Sequence, residues 1–461
     1  MAVLGGGPGA LAAALRLRQL GVEPVLESPA APAESMISTR AEAGWLVEEG
    51  AGWCGPATAQ VAALLASCGC DQGKVTSTPA SRRRYLVHHG RLVAVPESTA
   101  EILASPLLSI GGRMRMLREP FVPRGGDDPE ESVASFTRRR FGEEVAARFF
   151  DPLISGSSGA DPEHLVACYT FPDMVAHERR SGSVLKGRVR AARKARREGR
   201  QQSGGEPWSF PEGLAGLQDR MLKALGPVSP AAGRVVEVEV LPDRAGVMVR
   251  HELGDSPRFD AAVMVLPARV LGGISVVGNG GVNLAPLATI PHASLVTVSL
   301  GYRRSQVAHP LDGHGVLVPS SERRRILAIR FSSSQFPGRA PDDHVLLTVT
   351  LGGARQPGQL ALDDAALTAI ATEEVAELLG ASGRPVITRL ARWPAAVALA
   401  VSGHGHRLAA AEQLEAGAQV LALSGAWRDG NGVMEGMQGA LDAVDRLAVR
   451  LGWAETPREE T

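Results

Sequence analysis

Aromatic residues are scarce in this chain: Phe, Trp and Tyr make up 4% of it, and three of them are tyrosines. Neither charge sign is in excess, with 49 Lys and Arg against 49 Asp and Glu. The composition therefore offers no global signature of nucleic-acid binding, and no such partner is expected. Cysteine is nearly absent too, limited to Cys54, Cys68, Cys70 and Cys168. Cys68-Gly69-Cys70 is not a CxxC pair and has no histidines beside it at zinc spacing, so free thiols in a reducing compartment are expected, and no metal. No run of about 18 apolar residues occurs, which argues against a transmembrane helix. A glycine turn begins at residue five, so no secretory leader is expected ahead of it and the expected location is cytoplasmic.

What is present begins at that turn. Val3-Leu4-Gly5-Gly6-Gly7-Pro8-Gly9-Ala10 is followed about twenty residues later by Val25-Leu26-Glu27. Strand, glycine turn, helix, strand and acid in that order point to a bound dinucleotide. Gly5 lets the chain turn, Gly7 lets backbone approach a pyrophosphate, and Ala10 lets the helix pack on the strand. The helix from Ala10 to Leu20 aims its first amides at the phosphates, and Glu27 is placed to accept from ribose hydroxyls. A glycine turn alone is a weak signal; here its flanks agree with it.

At 461 residues the chain has room for two or three domains. Residues 57–203 read as mainly helical, apart from a strand-like pair around Arg84–Val87 and Arg91–Val95. The stretch from Lys186 to Arg200 is dense in arginine and lysine, and Gln201–Gly205 reads as an exposed turn. Strands are expected at Arg234–Val238, Gly246–Arg250 and the buried run Ala261–Leu266. Short alternating strands from Ala293 to Leu351 predict an antiparallel sheet, followed by an amphipathic helix over Ala365–Leu379. Last come a buried strand at Val420–Ser424, a glycine turn and a helix from about Met434 to Leu451. A nucleotide fold thus opens at residue 1, is interrupted twice and closes at the C-terminal end. The fold class is α/β: a Rossmann-like domain of interleaved segments (1–56, 204–290 and 391–461) with a helical insertion (57–203) and an antiparallel-sheet domain (291–390).

These segments resemble the flavin-dependent protoporphyrinogen and coproporphyrinogen oxidases, and the amine-oxidase-like flavoproteins around them. Besides the N-terminal turn, the resemblance rests on Ser135–Gly142, Pro152-Leu153-Ile154-Ser155-Gly156, Ala160-Asp161-Pro162 and Phe171-Pro172. Further matches are Gly315–Ser320, Leu351-Gly352-Gly353, Arg392-Trp393-Pro394 and Gly425–Gly432. The resemblance implies FAD as cofactor, with Gly5, Gly7, Gly9 and Ala10 on the pyrophosphate and Glu27 on the adenosine ribose. Val235 would place its backbone against the adenine. Gly425, Gly430, Gly432, Val433 and Met434 would bring a second helix start to the flavin, where amides favour negative charge, and Trp393 would lie near the ring.

The implied activity is an oxidoreductase of haem (porphyrin) biosynthesis. A porphyrinogen loses six electrons in three hydride transfers to FAD, and oxygen carries them off as peroxide. The tetrapyrrole would sit between the Gly156 turn and the strand bearing His314, Gly315 and Leu317. No side-chain acid or base for catalysis is identified, and Asp151 and Asp161 read as structural. Relatives dock on membranes through the helical region, so Lys186–Arg197 is a candidate contact with the inner face of the cell membrane. Leu185 and Val189 are its sole large apolar residues, which favours a solvated helix. A homodimer or a partner protein is compatible with all of this.

The chain also departs from the family. Glu34-Ser35-Met36 stands where paired glycines and a basic residue are usual. An aromatic is lost at Ser158, an aromatic before Gly315 is replaced by His314, Ala398-Leu399-Ala400 replaces Pro-polar-Tyr, and Ala426 replaces Asn or Asp. The arginine some members carry after Val95-Pro96 has no counterpart between Glu97 and Leu103. These losses fall on the flavin-ring and substrate side. Two alternatives therefore stand: a diverged flavin oxidase or desaturase acting on another hydrophobic substrate, and a catalytically degenerate flavoprotein subunit.

Overall fold

The computed structural model describes residues 1–27, 36–96, 99–126, 128–197, 205–227, 233–242, 245–278 and 283–453. Glu34, Ser35 and Gln201–Gly204, read above as a departure and a turn, lie outside the described residues.

The α/β fold has a four-stranded parallel sheet at its centre, in the order Leu421–Ser424, Ala262–Val265, Ala2–Leu4, Val25–Glu27. Strands from the start, middle and end of the chain are hydrogen-bonded neighbours, which is the interleaving expected from the sequence. The inner strands are continuous apolar runs because both faces are covered. The opening helix, Pro8–Gln19, is buried from Ala10 to Leu15 and again at Leu17. It packs on the sheet beside the closing helix, Val433–Arg450, and small residues occupy the closest contact between the two. A Cβ on Gly9 would stand 3.1 Å from the Gly436 carbonyl oxygen and 3.1 Å from Val265 Cγ1, so the two helices meet at this glycine. Gly5 is fixed more tightly still. Its φ is +136°, and a Cβ there would be 2.3 Å from the Val265 carbonyl oxygen. A second sheet joins Gly254–Asp255, Val247–His251, Val235–Val240 and Ser275–Val277.

The sheet expected between residues 291 and 390 has seven strands, ordered Ile387–Ala398, His292–Arg303, His344–Gly352, Ala328–Arg330, Gly315–Leu317, Arg84–His88, Arg91–Ala94. Two features differ from expectation. The 84–94 hairpin belongs to this sheet rather than to the helical insertion, because Arg84–Leu86 pairs in parallel with Gly315–Leu317. The last strand also runs to Ala398, across the boundary placed at residue 390. One sheet face packs Val296, Val298, Val349, Ile329, Val316 and Tyr85 into a core with the helix Asp364–Leu379. The opposite face turns toward the nucleotide fold with Thr297, Thr348, Thr350, Ala328 and Arg330 in register.

Helices of the insertion surround Phe136, Phe141 and Ile154. Their buried ionic node is Arg140, whose Nε donates to Glu119 Oε1 at 2.8 Å and whose Nη1 donates to Glu178 Oε1 at 3.1 Å. Glu119 also accepts from Ser183 Oγ and the Val184 amide, which fixes the start of the basic helix Val184–Arg197. No helix among the described residues is long and apolar enough to cross a membrane.

Gly5→Ala is expected to cost about 2–4 kcal/mol in urea unfolding, since it combines a disfavoured φ with a clash against backbone. Gly7→Ala, whose Cβ would meet nothing within 4 Å, should stay within about 1 kcal/mol of the parent. Equal losses in the two variants would contradict this assignment of roles.

Candidate functional site

Beyond the carboxyl ends of the parallel strands lie two helix starts. The opening helix has no acid in its first turn and no side-chain cap at Gly7. Gly7 faces open space, a cradle that a Cβ would intrude on, and first-turn amides have no intrahelical acceptor. Those are the properties a phosphate needs, so this helix start fits the pyrophosphate of a dinucleotide. Ala10 is fully buried under it.

Glu27 ends its strand as expected, but it is not a free acid. Its Oε1 accepts from Ser256 Oγ at 2.9 Å, and its Oε2 lies 3.0 Å from His251 Nε2. His251 in turn reaches the Gly233 carbonyl through Nδ1 at 3.1 Å. A carboxylate has about four acceptor sites, so capacity for ribose hydroxyls remains. Val235 pairs with His251 in register, which places its backbone at the same corner. His251 and Ser256 were not found from the sequence, because nothing local links residue 27 to a hairpin more than 220 positions later.

The second helix start is held by two residues that sequence reasoning also missed. Asp429 Oδ2 accepts from Ser424 Oγ at 2.7 Å and from the Gly425 amide at 2.9 Å, and burial raises its pKa. Asn431 pairs with both backbone groups of Ala398, each at 3.0 Å, tying the turn to the end of the long strand. Gly425 approaches the Leu266 carbonyl, while Gly430 and Gly432 lead into the helix. Met434 buries its side chain in the core, so only its backbone belongs to the helix start, and Val433 is half-buried. Glu435 hangs over Gly432: a Cβ on that glycine would overlap its carboxylate.

Between these parts runs the segment Glu48–Gly52. Trp393 Nε1 donates to the Glu49 carbonyl at 2.9 Å, and the Thr297 hydroxyl donates to the same oxygen. The indole packs against Gly50, where a Cβ would lie 3.0 Å from its Cζ2, between the turn and the sheet.

On the far wall the expected geometry changes. Gly156 is not in a turn: it sits inside the helix Asp151–Ser158, and the left-handed turn residue is Gly159. The space left by Gly156 is filled by Leu317, whose Cδ2 would be 2.6 Å from a Cβ there. Helix and strand thus pack on each other at this point instead of bounding an open slot. Asp151 and Asp161, expected to be structural, are both ion-paired. Arg355 bridges both, at 2.8 Å to Asp161, while Asp151 accepts the Ser320 amide at 2.7 Å.

His314 precedes Gly315 and meets the edge of Trp53 with ring centroids 6.0 Å apart. Burial first, and then the charges of Arg84 and Arg330, push its pKa down to about 4. Among the described residues no group of three or more His, Cys, Asp and Glu could hold a metal.

This architecture matches known proteins. Residues 34–446 fit the model of the flavin-containing amine oxidoreductases. The chain belongs to that family. It is a flavin-dependent oxidoreductase by that membership, and the open start of the first helix accords with such a cofactor. The mitochondrial protoporphyrinogen oxidase of Nicotiana tabacum is 28% identical over 96% of this chain and 94% of its own length. Coproporphyrinogen III oxidase of Bacillus subtilis is 23% identical over 88% of each. Among solved structures, a protein of Exiguobacterium sp. assigned as a protoporphyrinogen oxidase superposes with a TM-score of 0.77 at 18% identity, covering 98% of both chains.

His314 is neutral in the folded protein above about pH 4 but takes up its proton near 6.5 when unfolded. Between these values the unfolded state binds the extra proton, so stability falls as pH falls from 6.5 toward 4. His314→Gln should flatten that loss relative to the parent in urea unfolding at pH 7, 5.5 and 4.5. Identical pH slopes would show that the imidazole is not depressed.

Proposed function

We propose that this protein is an FAD-dependent oxidase that converts a porphyrinogen, protoporphyrinogen IX or coproporphyrinogen III, to the porphyrin in haem biosynthesis. The observation that carries the reading is the cleft itself. It lies between a flavin-type helix start and a sheet face of threonines, Ala328 and Arg330, and the nearby acids Glu27, Glu48, Asp151 and Asp429 are all engaged in hydrogen bonds. Such a site can orient a large flat substrate and exclude water, but it offers little proton-transfer machinery. Porphyrinogen oxidation fits, because aromatisation of the macrocycle supplies the driving force. The relatives named for porphyrinogen oxidation, matched along nearly their whole length, supply the substrate class.

In this reading Gly5, Gly7, Gly9 and Ala10 hold the pyrophosphate, Glu27 the ribose, and Val235 borders the adenine. Gly425, Gly430, Gly432, Val433 and Met434 present backbone to the flavin, and Trp393 lies beside it. FAD, when bound, would supply the acceptor for hydride leaving the substrate. The balance is six electrons and six hydrogens from the macrocycle, reducing three dioxygen molecules to three hydrogen peroxide. His314, Gly315 and Leu317 border the substrate on the sheet side. Gly156 supports Leu317 from behind.

One observation favours a second reading, a diverged oxidase or a degenerate subunit. Glu435 lies over the helix start that would stabilise negative charge on reduced flavin. Purified protein should carry flavin absorbance, and adding porphyrinogen should produce porphyrin fluorescence together with peroxide. Flavin without porphyrinogen turnover above the air-oxidation rate would transfer the assignment to the diverged oxidase. Protein that holds no FAD would make it a subunit.

We also infer peripheral contact with anionic membrane. Ile110, Met114, Leu117 and Phe121 are exposed and spaced along one side of the helix Ile110–Leu117 and the turn after it. Phe121 lies beside the basic helix, under Lys186 Nζ at 5.6 Å. The apolar anchors missing from the basic helix itself are thus contributed by another segment. Flotation with phosphatidylserine vesicles should recover the protein at low salt, and Phe121→Asp should reduce recovery at least severalfold. Vesicle binding unaffected by both salt and the substitution would remove this reading.

A further inference from the structure

The cleft carries a cation that the fold does not use. Arg84, Gly315 and Arg330 form one row across three neighbouring strands, and Gly315, between the arginines, carries no side chain. The residues next to the arginines, Tyr85 and Ile329, are buried in the opposite core, which leaves both arginines on the cleft side. Arg330 packs its guanidinium over Gly52: a Cβ there would lie 3.0 Å from Nη1 and 3.2 Å from Cζ. Its guanidinium hydrogen-bonds to none of the described residues, and the residue as a whole is only partly buried.

The surroundings do not neutralise this charge. Glu48, the acid whose charge acts on Arg330, is committed elsewhere. Its Oε2 accepts from Thr39 Oγ1 at 2.6 Å, and its Oε1 accepts the Leu214 amide at 2.8 Å and lies 3.3 Å from Arg339 Nη2. His314, also near Arg84 and Arg330, is neutral at physiological pH. Burial presses the pKa of Arg330 down, but a guanidinium in a protein remains charged. Holding it here without a partner costs free energy, and a leucine of similar reach would cost none. A cation kept under these conditions implies an anion supplied from outside the chain.

We propose that Arg330, with Arg84 across the Gly315 gap, anchors a carboxylate of the substrate bound in the cleft. The inference rests on the porphyrinogen reading, under which the carboxylate is a propionate of the macrocycle. Arg330 is then a residue for orientation and specificity, and it stands in the chain where local sequence offers no sign of such a role.

The test uses flavin-loaded parent, Arg330→Leu and Arg330→Lys. Flavin content is read by absorbance and stability by thermal unfolding. Affinity is read by fluorescence for protoporphyrin IX and for its dimethyl ester, which lacks the charge. Arg330→Leu should keep its flavin, melt no lower than the parent, and lose about 10-fold or more in affinity for the free acid. Its affinity for the ester should be unchanged, and Arg330→Lys should recover part of the loss. A leucine variant that melts lower or loses flavin would make Arg330 a structural or cofactor residue and overturn the proposal. So would a parent that does not prefer acid over ester, or a variant that binds the acid as the parent does. If the parent binds neither porphyrin, the substrate reading fails, and thermal shifts with sodium glutarate against sodium chloride at equal ionic strength decide the anion site. A shift confined to proteins with a cation at position 330 supports the site; no such shift overturns it.

Discussion

The whole molecule depends on how closely two helices from opposite ends of the chain approach each other. Gly9 leaves room for the Gly436 carbonyl and the Val265 side chain, both at the limit of contact. That approach seals the N-terminal unit, the central strand Ala262–Val265 and the closing helix into one core, with Ala10–Ala14 buried between. The segments on either side of Ala262–Val265, from the second strand up to it and from it to the last strand, are in effect two insertions into a single nucleotide fold. The strands are parallel, so each insertion leaves from a carboxyl end, the side of the two helix starts, and returns to the amino end of the next strand. The cleft is a consequence of this chain path. Loosening the contact at Gly9 would disturb cofactor and substrate walls together.

The acids around that cleft are engaged to an unusual degree. Glu27 serves His251 and Ser256, Glu48 serves Thr39, Leu214 and Arg339, Asp151 serves Ser320 and Arg355, and Asp429 closes its own turn. Each holds backbone or a neighbouring strand in place, and a carboxylate used in this way is poorly suited to shuttle protons. His314 is kept neutral beside two arginines. The charge left over is cationic, on Arg330. A site arranged like this favours chemistry in which the substrate brings its own driving force and its own anionic handles.

The sequence made legible what is determined locally. The βαβ unit, the buried strands at 262–265 and 421–424, and the helices 364–379 and 433–450 each follow from apolar periodicity and glycine within a dozen or so residues. What escaped is non-local. The parallel pairing of Arg84–Leu86 with Gly315–Leu317 joins segments about 230 residues apart, and no pattern in either one announces the other. Gly156 invited a turn because glycine usually marks one, yet its role is to make room for Leu317 across a helix–strand contact. The apolar ridge at 110–121 and the basic helix at 184–197 are unremarkable separately, and become one surface only once Glu119 and Arg140 bring their segments together.

The two helix starts differ in a way that bears on the direction of electron flow under the proposed function. The opening helix has no acid in its first turn, so its partial positive charge is fully available to a pyrophosphate. The closing helix carries Glu435 in its first turn, with the carboxylate lying over Gly432. A negative charge there would oppose a second one on a reduced flavin ring, lowering its potential and disfavouring its reduction. A poorly oxidising flavin is a handicap with an ordinary amine or alcohol. It matters less when the product is aromatic and the final acceptor is oxygen, because the first supplies the free energy for reduction and the second drains electrons readily from a low-potential donor. The placement of Glu435 is therefore compatible with porphyrinogen oxidation, provided the substrate is held firmly enough for hydride transfer. On the opposite wall, that is the part Arg330 is placed to play.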